Sequence, residues 1–194
     1  MKFYSYYSVT HFSNCYLLGG EAGRDALLID PGIFDEGLLA LIEGNGWYVR
    51  HVLLTHSHLA HVNGLRTLRK VYDLQVHALE PAAVESQAEA LQETDSLQLC
   101  GFPIRVLATP GHSNDSACFH IGRMLFSGDT LSAGGVGETA SGYEKALLLS
   151  SIRSKLLDLP GGTFLFPGHG PPSTLEVERR FNPYLADDAG RLRQ

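Results

Sequence analysis

Four short segments constrain this chain more than anything else in it: His56-Ser57-His58-Leu59-Ala60-His61, Pro110-Gly111-His112, Ser127-Gly128-Asp129-Thr130 and Pro167-Gly168-His169-Gly170. Each follows a run that reads as a strand, at 49 to 55, 103 to 109, 124 to 127 and 163 to 166. A fold that suits this chain must bring the ends of four distant strands to one place. In an extended segment residues two apart project to one side, so His56 and His58 can converge. A turn into helix after His58 brings His61 to the same region. Imidazole is a usual ligand for zinc and iron, and a carboxylate such as Asp129 can bridge two ions. Glycines 111, 128 and 168 let the backbone bend beside these side chains. Six potential ligands in four loops that follow strands point to a metal centre. His11, His51, His77 and His120 lack such company and read as surface or hydrogen-bonded core histidines.

The remaining chain alternates short strands and helices. Strands are expected at 2 to 9, 14 to 18, 26 to 29, 75 to 78 and 116 to 121, with helices at 35 to 43, from 61 through Val71, at 143 to 157 and at 175 to 180. Residues 80 to 91 read as a helix with Pro81 in its first turn or as a flap. No repeat period or low-complexity segment interrupts this order, and 194 residues suit one domain spanning 1–194. A formal charge of −6 gives no electrostatic support for a nucleic-acid or anionic-membrane partner, which favours a small-molecule substrate or a protein partner. The first residues lack a secretory pattern and no run is long enough to span a membrane. Cys15, Cys100 and Cys118 do not form a disulfide framework and read as core residues, so a cytoplasmic location is expected. Oligomeric state is not readable.

With these motifs in order, the sequence resembles the metallo-β-lactamase superfamily, and within it the small glyoxalase II-like hydrolases. The resemblance runs from Asn14-Cys15-Tyr16 and Asp30-Pro31-Gly32 through THSHLAHVNG (55 to 64), TPGHS (109 to 113) and SGDTL (127 to 131) to FPGHGPPST (166 to 174) and ERRFNPYL (178 to 185). It implies an α/β fold, a four-layer αββα sandwich. It also implies one ion held by His56, His58 and His112, a second using His61 and His169, and Asp129 between them. Zinc is the first choice of metal, with iron and manganese as alternatives.

The sequence departs from the family pattern in two places. The first motif is usually HxHxDH, but here the aspartate position is Ala60, which removes a ligand of the second ion. Asp115 is a candidate substitute. Relatives commonly carry Gly-Arg-x-Asp before the long helix, whereas this chain reads Gly137-Glu138-Thr139-Ala140. These changes shift the weight toward one ion and favour hydrolysis of a thioester or activated ester by metal-bound hydroxide. Two alternatives are a mononuclear iron oxidoreductase resembling persulfide dioxygenases and a metal-binding protein with reduced or lost activity. Residues 80 to 100 and 132 to 143 are expected to border the pocket, with Tyr143 packed on the surface. The tail arginines Arg179, Arg180, Arg191 and Arg193 are expected to be solvated.

Overall fold

A computed structural model describes residues 1–20, 23–84 and 88–185. Six strands form a first sheet in which spatial order equals chain order: β1 (Lys2–Ser8), β2 (Ser13–Gly19), β3 (Asp25–Ile29), β4 (Tyr48–Leu53), β5 (Gln75–Ala78) and β6 (Glu89–Ala90). The second sheet begins with β7 (Thr94–Leu99), β8 (Phe102–Ala108), β9 (Ala117–Ile121) and β10 (Met124–Gly128). A small hairpin, β11 (Leu131–Ser132) and β12 (Gly135–Val136), then leaves that sheet before β13 (Phe164–Pro167) and β14 (Ser173–Thr174) complete it. β3, β4 and β5 are mutually parallel, as are β10 and β13; β8 runs with β10, since both are antiparallel to β9.

Both faces of each sheet are covered. Every residue of β2 is buried: Cys15, Tyr16, Leu17 and Leu18 by packing, and the polar Ser13 and Asn14 with their side chains bonded to Ala60 O and Pro167 O. Tyr16, Leu18, Leu27, Ile29 and Leu53 face Ile104, Val106, Phe119 and Phe126 to form the layer between the sheets. Leu17, Leu28, Val49 and Val52 point outward against α1 (Glu36–Gly44) and α3 (Leu65–Val71). On the other outer face Leu107, Cys118, Leu125 and Leu165 pack against α4 (Gly142–Ser151) and α5 (Leu175–Phe181), with α2 (Leu59–Val62) lying in the first histidine loop. Three apolar layers separating four layers of structure give the αββα sandwich that the resemblance implies.

Local chemistry sets the helix ends. Asp35 caps α1, its Oδ1 accepting from Leu38 N at 2.9 Å, and it also takes the Tyr6 hydroxyl at 2.6 Å. The helix expected from 61 is two helices. Gly64 interrupts it, donating its N–H to Pro31 O at 2.8 Å in an approach so close that a Cβ would lie 2.6 Å from that oxygen.

Four other expectations change. Residues 81–83 form one 3-10 turn rather than a longer helix, residues 85–87 lie outside the described residues, and the short edge strand β6 follows. The helix expected at 143 to 157 becomes a π turn at Ile152–Leu156, which keeps Leu148, Ile152, Leu156 and Leu159 all buried. Tyr143 is 78% exposed rather than packed. Arg179 is half-buried and donates to the carbonyls of Leu157 and Leu159, so it caps the end of that turn instead of being solvated. Arg180 is exposed, its guanidinium over the Phe181 ring, while Arg191 and Arg193 lie outside the described residues. The strands β7, β11, β12 and β14 were not expected.

No described helix is long and apolar enough to cross a membrane. Phe126 is fully buried between the sheets, where its ring lies 5.2 Å from Tyr16 and 5.6 Å from Phe166. Phe126→Ala is expected to lower stability by about 3–5 kcal/mol, read from urea unfolding as a lower midpoint with an unchanged slope.

Candidate metal centre

The strands β3, β4, β8, β10 and β13 all end on the same edge of the sandwich, and each candidate ligand lies in the loop that follows one of them. Open α/β sheets use this carboxyl edge for ligands because the loops there diverge around a crevice. Hydrogen bonds stitch the two sheets together at this edge. Asn14 N donates to Gly168 O at 2.7 Å, Tyr16 OH to Pro167 O at 2.6 Å, and Ala117 N to Thr55 O at 2.7 Å.

Three imidazoles converge in front of this seam. His56 Nε2 and His112 Nε2 each lie 3.0 Å from His58 Nδ1, and the three rings stand nearly perpendicular to one another. Ligand nitrogens around a tetrahedral zinc with bonds of roughly 2.0–2.1 Å are separated by about 3.3 Å, so the donor set fits an ion of this class. The far nitrogens are held as well. His112 Nδ1 donates to Glu138 O at 2.8 Å, which leaves its Nε2 lone pair for the centre, and His56 Nδ1 meets the Thr55 hydroxyl at 3.1 Å. Burial, reinforced by the neighbouring His61, pushes His56 down to about 2, and burial lowers His58. Both rings are therefore neutral, the state a ligand needs.

Asp129 stands beside this group. Its Oδ2 is 3.8 Å from His56 Nε2, 3.7 Å from His112 Nε2 and 3.5 Å from His61 Nε2. His56, His61 and Asp129 form a second ligand-like triad that shares His56 with the first. Burial opposes ionisation of Asp129, but the hydrogen bond from His169 and the nearby His61 ring outweigh it and hold the carboxyl far below its ordinary range. His61 is fully buried, and its Nε2 has no hydrogen-bond partner among the described residues. Burial disfavours its charge, yet Asp30 and Asp129 override this and push it up to about 10. A proton on that ring must leave before the ring can bind an ion.

His169 lies next to Asp129 but in neither triad. Its Nδ1 bonds to Asp129 Oδ1 at 2.8 Å, and the side chain is 40% exposed. Asp115 does not take the place of the missing aspartate. Its Oδ2 accepts from Ser57 N at 2.8 Å, so it buttresses the first histidine loop from behind. Ala60 contributes only backbone, its carbonyl accepting from Ser13 Oγ at 2.7 Å. Gly168 is required by packing, since a Cβ there would lie 2.4 Å from His61 Cε1 and 2.6 Å from Asp129 Oδ1.

Asp30 was not singled out as a site residue from sequence. It is buried at a positive φ of 50°, its Oδ1 accepting from Thr55 N at 2.8 Å and its Oδ2 from Thr55 Oγ1 at 2.6 Å. The same Oδ2 accepts from His61 Nδ1 at 3.1 Å. An acid ending an apolar strand ahead of Pro-Gly was the available signal. Among the other histidines, His51 Nδ1 and His77 Nε2 pair at 3.0 Å, whereas His11 and His120 each leave Nε2 without a partner among the described residues. Cys15 and Cys118 are buried and Cys100 half-buried, and burial raises all three thiols. They are poor nucleophiles, as expected of core residues.

A cavity of about 390 Å3 opens in front of the centre, between His112, Asp129 and His169 on one side and Ser132, Val136 and Glu138 on the other. The expectation for 132 to 143 holds through these last residues, while none of the described residues from 80 to 100 lines the cavity.

Comparison with known proteins agrees with this geometry. The family model described as metallo-beta-lactamase superfamily matches residues 9–170. The hydroxyacylglutathione hydrolase GloC of Haemophilus influenzae is 33% identical over 91% of this chain and 95% of its own. The BLEG-1 B3 metallo-beta-lactamase superposes with a TM-score of 0.87 at 28% identity, covering 96% of this chain and all of its own. TTHA1623, solved in a di-iron-bound form, superposes at 0.77 with 35% identity, covering 89% of this chain and 95% of its own.

Asp30→Ala is expected to strand the Thr55 amide, the Thr55 hydroxyl and His61 in a buried place. A loss of about 3 kcal/mol or more should appear in chemical unfolding of the metal-free protein.

Proposed function

The chain belongs to the metallo-β-lactamase superfamily, and from that premise we propose that it is a metal-dependent hydrolase of thioesters or activated esters working at one principal ion. The observation that carries this reading is the unequal build of the two halves of the centre. His56, His58 and His112 converge with Asp129 alongside. The other half has His61 and a His169 turned onto Asp129, and at position 60 it has a methyl group.

His56, His58, His112 and Asp129 would hold the principal ion, with zinc the first choice. When bound there, such an ion lowers the pKa of water toward about 7 and polarises an acyl carbonyl. The protein's own part is positioning. Glu138 O and Thr55 Oγ1 fix the rotation of the His112 and His56 rings, while Asp115 holds the loop carrying His56 and His58 through Ser57 N.

The absent carboxylate at position 60 constrains the leaving group. An amine must gain a proton as it departs, and no carboxylate stands at that position to relay one. A thiol has a pKa of about 8.5 and leaves as thiolate without that help. GloC, named a hydroxyacylglutathione hydrolase, supports the thioester class. A second reading is oxidation of persulfides at a single iron; the neighbour solved in a di-iron-bound form supports iron as a metal for this fold, not that reaction. Iron retained after anaerobic purification, together with sulfide-dependent oxygen uptake, would favour it over hydrolysis.

Purified, zinc-loaded protein is expected to turn over S-lactoylglutathione and to leave nitrocefin intact; turnover of nitrocefin alone would overturn the leaving-group reasoning. Ala60→Asp is expected to raise metal content, measured by plasma mass spectrometry, from near one ion per chain toward two. Unchanged stoichiometry would mean that something other than the missing ligand limits the second site.

A further inference from the structure

Beyond the centre itself, the side chains lining the cavity include the carboxylate of Glu138. Glu138 is exposed at its rim, and no lysine or arginine lines it among the described residues. Three basic side chains on the flanking helices are engaged elsewhere: Lys155 with Glu93 and Ala108 O, Arg179 with the carbonyls of Leu157 and Leu159, Lys145 over the Tyr184 ring. Asp129 lies deeper, its carboxylate bonded to His169 Nδ1 at 2.8 Å and within 3.8 Å of nitrogens of His56 and His61. The Glu138 carboxylate forms no ion pair among the described residues, and its backbone oxygen is anchored to His112 Nδ1. Its charge therefore stays close to any group that enters beside the centre.

This bears on the thiol half of a thioester. A glutathione conjugate brings two carboxylates and one ammonium, and its carboxylates need donors. The wall offers Ser132 and the imidazoles of His112 and His169, already turned to Glu138 O and Asp129, and beside them the Glu138 carboxylate, which repels. Charge that meets like charge at a rim slows association, and opposite charge speeds it. We propose that this site selects thioesters whose thiol half is cationic rather than anionic, with Glu138 as the specificity-determining residue. The proposal rests on the thioester reading above and narrows its substrate class. In the reaction water adds its oxygen to the acyl carbon and the carbon–sulfur bond breaks. The products are a carboxylate, the free thiol and one released proton.

Acetylthiocholine and S-acetylglutathione share an acyl group and differ in the charge of the thiol, so they form the test. Zinc-loaded protein at low ionic strength should favour acetylthiocholine in kcat/KM by about fivefold or more after division by the spontaneous hydrolysis rates. Raising salt to about 0.5 M should collapse that ratio. Glu138→Gln should shrink it by about threefold, and Glu138→Arg should invert it. A readout that needs no turnover is calorimetric binding of S-methylglutathione, which Glu138→Arg should tighten by about tenfold over the original chain. Preference for S-acetylglutathione, or a ratio indifferent to Glu138→Arg, overturns the proposal and leaves the hydrolase reading standing. If neither thioester turns over while Glu138→Arg still tightens S-methylglutathione, the hydrolase reading fails and the charge selection stands.

Discussion

A buried carboxylate at the end of β3 holds this edge of the molecule together. Asp30 accepts from Thr55 N, Thr55 Oγ1 and His61 Nδ1, so a single side chain joins the ends of two parallel strands to the first histidine loop. A buried anion is costly unless its oxygens are fully bonded, and here three donors meet that demand. Its positive φ is a conformation that Asp tolerates better than most residues. Because Thr55 in turn meets His56 Nδ1, the orientation of two candidate ligands descends from Asp30.

From there the constraint passes across the seam between the sheets. Thr55 O accepts from Ala117 N, and Asn14 and Tyr16 bond to Pro167 and Gly168 in the loop that carries His169. Beneath the seam Phe3, Tyr16, Phe126 and Phe166 pack as one aromatic group between the sheets. The strands supply rigid ends and the loops supply ligands, the usual division of labour where a site must be both precise and open. On the far wall Glu178 accepts from Gly134 N and Asn182 donates to Gly135 O, so the C-terminal helix fixes the small hairpin that borders the cavity.

The departures from the family pattern take on physical meaning in this frame. Ala60 leaves its part of the centre with a methyl group where a carboxylate would stand, and the His169 ring bonds directly to Asp129 Oδ1. Glu138 in place of the usual arginine changes the sign of the charge at the rim, while its backbone still orients His112. Under the proposed function, the first departure bears on how many ions the centre would hold and the second on what would approach it.

The sequence by itself determined much of the fold. Apolar runs, their turn residues and the helical spacing gave β2, β3, β4, β8, β9 and β10 and the helices near 36, 65, 142 and 175, because burial on two faces leaves a continuous signal. The six candidate ligands were legible for a different reason: one histidine beside glycine is an ordinary loop residue, but six potential ligands in four loops that follow strands point to a shared centre. Two-residue strands such as β11, β12 and β14 were not, because their pairing depends on distant partners and not on periodicity. Asp30, the caps at Arg179 and Asp115, and the rotation of His169 onto Asp129 were decided only by tertiary structure. Each depends on which atom of a side chain meets a group far away in sequence, and residue type and spacing carry no record of that meeting.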